Sequence, residues 1–293
     1  MPHALSIDIE DYFQTEAMSS AVPREEWGTA ELRVERSTWR LLEMFERRKI
    51  HTTMFFLGWV ADRCPGLVRA AASYGHEVAC HSYWHRTVYS LSPTMFREDT
   101  IRAKGAIESV TGQAIIGYRA PSFSILENME WATDILAESG FQYSSSTHPI
   151  LHDTYSNPNA NRLPHQTRSG IWEIPITTWP IFGSNLPVGG GAYLRILPSQ
   201  YVLTGLKQVA DKGETLMIYL HPWEIDFDQP KLSASRKSQA RQYIGLNHME
   251  RRLERLIDRY TFSSIASAFE NELHICKPLG FSCDSNGAKA CVQ

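Results

Sequence analysis

Short apolar segments of four to seven residues alternate along this chain with longer segments in which apolar residues recur at helical spacing. The first pattern predicts strands at residues 5–9, 52–57, 77–80, 115–118, 141–144, 171–177 and 215–220. The second predicts helices at residues 37–49, 65–73, 92–110, 129–139, 198–212 and 247–260, with Ser37 as the first N-cap. Residues 146–170 follow neither pattern and predict a loop.

Strands that alternate with helices predict an α/β fold with a parallel sheet. This many units over about 270 residues favour a closed or nearly closed barrel rather than an open sheet. No internal repeat or low-complexity linker divides the chain, so we expect a single domain. In such barrels the functional groups follow the carboxyl ends of the strands, here just after residues 8, 80, 118, 175 and 220.

The composition is that of an ordinary soluble globular protein. Of 293 residues, 43% are hydrophobic and 21% are charged, and the net charge of −3 gives no electrostatic case for nucleic acid. The sequence shows no membrane span and no signal-peptide pattern, so a cytoplasmic protein is expected if the chain is complete. Five cysteines match no zinc-knuckle spacing and predict free thiols: Cys64, Cys80, Cys276, Cys283 and Cys291.

The first candidate chemistry lies in residues 76–85, His-Glu-Val-Ala-Cys-His-Ser-Tyr-Trp-His. An apolar run brings His81 to the end of a predicted strand, and His85 follows four residues later. On a helical turn residues four apart share one face, so both imidazoles could bind one zinc-like ion. The alternative is one core histidine beside a solvated one, and carboxylates at other strand ends decide between the two.

Carboxylates do follow the first strand, as Asp8, Glu10 and Asp11. Carboxylates this close repel one another and favour a cation or a basic partner. One of them with two histidines would make a hydrolytic metal site, and another could act as general base on the attacking water. A solvated acidic turn or a helix cap is the alternative.

Arg119 and His221 end two further predicted strands. The guanidinium of Arg119 could hold the base carboxylate in its charged form through a bidentate pair, and a surface salt bridge is the alternative. His221 could protonate a leaving group opposite the base, and a capped core histidine is the alternative.

Taken in order, these residues resemble the five motifs of the polysaccharide deacetylases, the NodB-homology members of carbohydrate esterase family 4. The matching elements are Asp8, His81-x-x-x-His85, Arg119-Ala120-Pro121, Glu173-Ile174-Pro175 and Leu220-His221. Residues 6–13, 221–224 and 241–246 are similar to a branch found in exopolysaccharide and exosortase gene clusters. The resemblance runs from about residue 4 to residue 269 and leaves only the cysteine-bearing tail outside.

The resemblance implies a deformed, TIM-like (β/α) barrel of the NodB-homology type at residues 1–273. Residues 225–270 would form its branch-specific segment, and residues 274–293 an irregular tail. It also implies an enzyme that uses a divalent metal, with zinc favoured, to hydrolyse the N-acetyl group of an amino sugar in polysaccharide or exopolysaccharide biosynthesis.

By position in the motifs, the implied roles are general base for Asp8, orientation of that base for Arg119, general acid for His221, and metal ligands for His81 and His85. The first motif departs from the family pattern, because Ile9 stands where most members have a second aspartate as carboxylate ligand. The ligand is then Glu10 or Asp11. Strand alternation places Glu10 on the side of Asp8 and favours Glu10.

Substrate contacts are expected around the same motifs. A backbone N–H near Tyr83 or Trp84 would stabilise the oxyanion, tryptophans would offer flat faces to a sugar ring, and the loop at residues 189–193 with Arg195 would close over the substrate. The expected contacts are Tyr83, Trp84, Pro121, Trp179, Tyr193, Arg195 and Trp223.

Several points stay open in the sequence. Glu173 and Trp179 replace the usual aspartate–tryptophan pattern of the fourth motif, which leaves open how His221 is tuned. One rival function is a metal-independent cyclic-amide hydrolase of the allantoinase-like branch, against which the histidine pair argues. Another is a catalytically inactive carbohydrate-binding or assembly protein, against which the complete set of base, ligands and acid argues. The sugar, its carrier (polymer, lipid or nucleotide) and homo-oligomerisation are undetermined.

Overall fold

The computed structural model describes residues 2–153 and 156–273, in which strands and helices alternate. The strands are β1 (His3–Ile9), β2 (Thr53–Phe56), β3 (Glu77–Cys80), β4 (Gly117–Tyr118), β5 (Tyr143–Ser144), β6 (His165–Gln166), β7 (Trp172–Glu173), β8 (Thr178–Ile181), β9 (Ser184–Pro187), β10 (Met217–Leu220) and β11 (Phe262–Ser263). The helices are α1 (Val34–Arg48), α2 (Gly58–Arg63), α3 (Pro65–Ser73), α4 (Pro93–Thr111), α5 (Glu130–Glu138), α6 (Ala192–Ile196), α7 (Ser199–Ala210), α8 (Arg236–Tyr243), α9 (Leu246–Arg259), α10 (Ile265–Ala268) and α11 (Glu270–Leu273).

Two of the five cysteines, Cys64 and Cys80, are buried free thiols. The predicted irregular tail at residues 274–293, with Cys276, Cys283 and Cys291, lies outside the described residues. Within the described ranges, no helix is long and apolar enough to cross a lipid bilayer.

Seven parallel strands form the main sheet in the order β10-β1-β2-β3-β4-β5-β7, with β6 antiparallel to β7 and β11 paired to the start of β1. The ends of this sheet approach each other. Thr177, which directly precedes β8, donates its N–H to the Met217 carbonyl oxygen at 3.0 Å, and Gly190 pairs with Tyr219 of β10. The result is a nearly closed (β/α) barrel, which confirms the predicted fold class.

The two faces of β1 have different neighbours. The residues of β1 that pack beneath the helices are Leu5, Ile7 and Ile9. Ala4 belongs instead to the cluster that fills the barrel interior with residues of β2, β5 and β10. Because side chains alternate along a strand, Asp8 faces the same interior side as Ala4.

Each of the seven predicted strands overlaps a strand of the structure, and each predicted helix overlaps a helix. The hairpin β8–β9 and the helix α8 are not predicted. Helix α1 also begins at Val34 rather than after Ser37, because the Asp11 carboxylate accepts the N–H groups of Arg33 and Val34 at 2.8 and 2.9 Å. The N-cap prediction for Ser37 is therefore wrong.

The barrel closes through a close backbone approach at Gly190, where φ is 148°. A Cβ there would lie 2.1 Å from the Tyr219 carbonyl oxygen. We expect Gly190→Ala to lower the free energy of unfolding by about 3 kcal/mol or more. Gly213→Ala is the control, since Gly213 has a φ of 81° but no described atom within 4 Å, and it should cost about 1 kcal/mol. Denaturant unfolding measures the free energy of unfolding of both variants. Equal losses of stability would contradict the importance of the close contact between Gly190 and Tyr219.

Candidate metal centre and active site

The two candidate histidine ligands lie on a tight turn rather than on a helix. The chain leaves β3 and turns through Ser82 and His85, whose φ values of 66° and 49° are left-handed. The Ser82 hydroxyl oxygen accepts the His85 N–H at 3.1 Å and stabilises the turn. The predicted helical turn is therefore wrong, although the observed turn still brings the rings of His81 and His85 to a centroid separation of 5.3 Å.

Glu10 completes a buried cluster with these histidines, which we term the three-ligand cluster (Glu10, His81 and His85). One ligand atom from each residue lies within 4.8 Å of the others. Glu10 Oε2 is 2.7 Å from His85 Nε2 and 3.8 Å from His81 Nε2. All three residues are buried, so little solvent screens their interaction.

The hydrogen bonding of His81 shows that the cluster suits a metal ion. His81 Nδ1 lies 2.9 Å from the Arg119 carbonyl oxygen, to which it must donate, so Nε2 presents a lone pair toward Glu10. Burial lowers the pKa of His81 well below its usual value and keeps the ring neutral. A lone pair facing a buried carboxylate oxygen is unfavourable unless a cation lies between them. Two imidazoles, one carboxylate and an orienting carbonyl therefore fit a divalent metal.

Asp11, the alternative carboxylate ligand, is engaged elsewhere. Its Oδ1 accepts the N–H of Tyr12 at 2.9 Å, and its Oδ2 accepts the two N–H groups at the start of α1. These bonds make Asp11 the cap of α1. Of the two candidate acids, the structure therefore brings only Glu10 to the histidines.

Arg24, in the segment between β1 and α1, holds the backbone of the histidine turn. Its Nε and Nη2 donate to the carbonyl oxygens of Trp84 and His85 at 2.7 and 3.1 Å. We expect Arg24→Gln to weaken metal affinity about 10-fold, because groups that orient ligands have effects of this size. Competition with a chelator measures the affinity. The control is Arg63→Gln, which removes a 3.2 Å bond to the Gly28 carbonyl in the same segment, and equal affinities in both variants would contradict the prediction.

Asp8 and Arg119 form a buried ion pair inside the barrel. Arg119 Nη1 donates to Asp8 Oδ1 at 2.6 Å and to Ser6 Oγ at 2.7 Å. Its Nε and Nη2 donate to the carbonyl and hydroxyl oxygens of Ser145. The predicted bidentate pair is therefore wrong, because Ser145 takes the other side of the guanidinium. Asp8 Oδ2 lies 3.9 Å from Nε2 of His221 across the ends of β1 and β10.

His221 is held by a chain of hydrogen bonds that runs through Glu224 to Arg195. His221 Nδ1 lies 3.1 Å from Glu224 Oε2, and Glu224 Oε1 accepts from Arg195 Nε at 2.6 Å. Burial alone would lower the pKa of His221. The hydrogen bond with Glu224 and the negative charges of Glu10, Glu224 and Asp8 outweigh burial and raise that pKa to about 9. The ring is therefore protonated at neutral pH.

The fourth-motif residues do not tune His221. Glu173 Oε1 accepts the N–H groups of Ser146 and Thr147 at 2.8 and 2.7 Å and so orders the chain after β5. Trp179 lies in the β8–β9 hairpin, which is outside the main sheet. Glu224 performs the tuning instead, and its position three residues after His221 is the signal that the sequence offers for it.

These groups open into one cavity of about 730 Å³ at the carboxyl ends of the barrel strands. The catalytic candidates and cluster residues that line it are Asp8, Glu10, His81, His85 and His221. Other lining residues, which the sequence analysis missed, include Tyr89, Phe123, Leu126, His152, Asp153, Tyr219, Lys237 and Arg241. The volume lies in the range of sites that enclose whole small-molecule ligands. The signal for α8 was present, since Lys237 and Arg241 are spaced four residues apart.

The prediction of an oxyanion donor near Tyr83 or Trp84 is wrong. The Tyr83 N–H donates to Asp99 Oδ2 at 2.7 Å, and the Trp84 N–H donates to Asp99 Oδ1 at 3.3 Å. Because both N–H groups already donate to the Asp99 carboxylate, neither of them is directed at the negative charge that develops on the substrate oxygen. Neither residue is among the described residues that line the cavity, and their N–H groups support the turn instead.

Trp223 and Arg195 line the cavity, but their contacts differ from those predicted. The Trp223 ring stacks on His221 at a centroid distance of 5.0 Å, and its indole N–H donates to Glu10 at 3.3 Å. Arg195 is fully buried, with its guanidinium bonded to Glu224 and to two carbonyl oxygens. Both side chains therefore position the reactive groups, and Arg195 is fixed in place rather than part of a closing loop.

The remaining predicted contacts, Pro121, Trp179 and Tyr193, do not line the cavity formed by the described residues. Pro121 is buried beside it, and the next two residues, Ser122 and Phe123, line it with positive φ values of 53° and 52°. Backbone held in this sparsely populated region is typical of functional sites. Tyr193 packs against the barrel-interior cluster.

Fold and site together define a (β/α)-barrel protein with a buried carboxylate–histidine cluster, and sequence comparison agrees with this class. Residues 28–144 match the family model described as polysaccharide deacetylase, and residues 145–270 match a domain of unknown function (DUF3473). The peptidoglycan-N-acetylglucosamine deacetylase of Bacillus cereus is 24% identical over 143 residues, which are 45% of this chain and 51% of that protein. The chitooligosaccharide deacetylase of Bradyrhizobium sp. is 26% identical over 124 residues, 42% and 54% of the two chains. The chain spans about half the length of these curated relatives.

Solved structures share the fold over nearly the whole chain. The alignment with a protein from Mycobacterium smegmatis has a TM-score of 0.59 at 20% identity, and it covers 94% of this chain and 93% of that protein. The alignment with a protein from Pseudomonas aeruginosa PAO1 has a TM-score of 0.59 at 19% identity, and it covers 92% of this chain and 90% of that protein. The names of both assign them to the polysaccharide deacetylases. The fold is therefore the NodB-type (β/α) barrel, and residues 28–144 are similar to the polysaccharide deacetylase family.

Proposed function

We propose that this protein is a metal-dependent deacetylase that removes the N-acetyl group of an amino sugar in polysaccharide or exopolysaccharide biosynthesis. The observation that carries the proposal is the convergence of the three-ligand cluster, the buried Asp8 carboxylate and the His221 imidazole on one cavity. The names of both curated relatives, which are deacetylases, support the reaction. The motif resemblance at residues 6–13, 221–224 and 241–246 supports the exopolysaccharide role.

The residues of the chain have complementary parts in this reaction. A divalent ion held by the three-ligand cluster, with zinc favoured, would supply Lewis-acid polarisation of the acetamide carbonyl. Asp8 takes a proton from the attacking water, and Arg119 orients Asp8 through the 2.6 Å hydrogen bond to Oδ1. His221 gives its proton to the departing nitrogen, so that the amide C–N bond breaks into acetate and a free amine. Because Asp8 Oδ2 and His221 Nε2 lie 3.9 Å apart, one tetrahedral centre can contact both.

The experiment that tests the proposal measures metal content by mass spectrometry and acetate release from a panel of N-acetylated sugars. The wild type should bind about one divalent ion per chain and release acetate. The double variant His81→Ala/His85→Ala should lose both properties. The control His165→Ala/His248→Ala removes two histidines outside the cavity and should keep both. A wild type that stays metal-free after loading with divalent ions would overturn the metal mechanism and favour the metal-independent hydrolase.

A further inference from the structure

One face of α8 forms part of the cavity wall and carries two cationic side chains. Lys237 and Arg241, one helical turn apart, line the cavity together with Ser238 and Gln242. Both cations contact the carboxylate of Asp153, which belongs to the chain between β5 and β6. Solvent still reaches this place, since 66% of the Lys237 side chain and 34% of the Arg241 side chain are exposed.

α8 is fixed relative to the reactive groups. Arg195 Nη2 donates to the Arg241 carbonyl oxygen at 2.7 Å, and this guanidinium also ends the hydrogen-bond chain that holds His221. On the other side, the Gln242 amide donates to the carbonyl oxygen of Tyr12, shortly after β1, at 3.0 Å. The cationic face of α8 therefore keeps a constant position relative to the general acid and the three-ligand cluster.

The charges near α8 favour a negatively charged group on the ligand. Among the described residues, the ion pairs of Lys237 and Arg241 are both with one carboxylate, that of Asp153, so one positive charge is left over there. The cavity wall also carries Glu16, whose negative charge acts on Arg24, although burial and the charge of Arg86 lower the pKa of that guanidinium overall. An oxyanion of the ligand at α8 would complete the charge balance there.

The Asp153 carboxylate is bound only weakly between Lys237 and Arg241. It is 41% exposed, and exposed ion pairs contribute little to stability because water and salt screen them. A phosphoryl or carboxylate group can therefore replace it. Arginine binds such oxyanions through a planar fork, and lysine adds a point charge beside it. The cavity of about 730 Å³ leaves room for a charged group beyond the reacting acetamide.

We propose that Lys237 and Arg241 form an anion subsite, through which the protein selects amino sugars that carry a phosphoryl or carboxylate group over neutral ones. This inference rests on the proposed function, which concerns the N-acetyl group and leaves the rest of the substrate open. A sugar phosphate and an amino uronic acid both present the required oxyanion, and the substrates of the test distinguish them.

The test compares kcat/KM for acetate release by the metal-loaded full chain from three substrates. These are the neutral disaccharide N,N′-diacetylchitobiose, N-acetylglucosamine 1-phosphate and N-acetylglucosaminuronic acid. The wild type should prefer one of the charged substrates by about 10-fold or more. Lys237→Gln/Arg241→Gln should lower the ratio of charged to neutral kcat/KM by about 10- to 100-fold. Asp153→Asn should raise that ratio, because it removes the competing internal charge.

The matched control is Lys231→Gln/Arg236→Gln, which removes the same charge from exposed residues that do not line the cavity. It should leave the ratio unchanged. Equal kcat/KM for neutral and charged substrates in the wild type would overturn the anion subsite while leaving deacetylation intact. Equal ratios in the double variant and its control would do the same.

A wild type that releases no acetate from any substrate would overturn the proposed function instead. Calorimetric binding of N-acetylglucosamine 1-phosphate to the metal-loaded chain then decides the subsite separately. Weaker binding in Lys237→Gln/Arg241→Gln than in the control supports the subsite, and equal binding overturns it.

Discussion

Replacement of Asp8 by asparagine is expected to lower kcat for acetate release by about 10²–10⁴-fold, because an amide cannot take the proton of the attacking water. Asparagine keeps the size of the side chain and an oxygen that can accept from Arg119 Nη1, which lies 2.6 Å from Asp8 Oδ1. Metal content should stay near that of the wild type, since Asp8 is not part of the three-ligand cluster. Measuring kcat and bound metal on the same preparation therefore separates a base from a ligand.

The same substitution should also destabilise the fold, because fully buried Arg119 loses the charge of its carboxylate partner. Deleting one partner of a buried pair typically costs about 3–5 kcal/mol, and we expect about 2–4 kcal/mol here because the accepting oxygen remains. Kinetics are therefore measured well below the melting temperature. Ser6→Ala is the control, since it removes another acceptor of the same nitrogen and should lower kcat by less than about 10-fold. Loss of metal from Asp8→Asn, or a kcat as high as that of the control, would contradict the role of Asp8 as base.

The barrel could be predicted because its strands are buried on both faces and read as short apolar runs. β3 and α3 have the predicted bounds. α4 begins and ends as local rules require, with Ser92 accepting the N–H of Met95 and Gly112 in the left-handed conformation. The start of α1 could not be predicted locally, because its cap is Asp11, from the end of a strand more than 20 residues earlier.

The reactive residues could be found from the sequence because the carboxyl ends of parallel strands meet at one end of the barrel. What the sequence could not show is which groups are already engaged. The N–H groups of Tyr83 and Trp84 are bound to Asp99, and Arg195 is bound to Glu224 and backbone oxygens. These contacts join residues far apart in the chain or on different elements, so no local pattern reports them.

His221 is the other residue whose replacement should nearly abolish the reaction. As a protonated imidazole, it gives a proton to the departing nitrogen, and an asparagine cannot. We expect His221→Asn to lower kcat by about 10²–10⁴-fold at neutral pH with metal still bound. The remaining activity should also lose its alkaline limb, the fall in kcat at high pH that reports loss of the proton from His221.

The pH dependence of the wild type follows from the charged state of this ring. Activity requires protonated His221, so kcat should fall as the pH rises through its pKa. Its neighbouring carboxylates raise that pKa to about 9 against the opposing effect of burial. A divalent ion on Glu10 cancels part of the negative charge that raises it, so the alkaline limb is expected at about pH 9 or below.

Glu224→Gln tests whether Glu224 keeps His221 protonated. The substitution keeps the size of the side chain but removes the negative charge 3.1 Å from His221 Nδ1, so the pKa of His221 falls. The alkaline limb of kcat should then move toward acid by about 1–3 pH units. A role for Glu224 in folding alone would lower kcat at every pH without moving the limb. Glu173→Gln, which alters a buried carboxylate bonded to the chain after β5, should leave the limb in place. An unmoved limb in Glu224→Gln would show that another group sets the protonation of the acid.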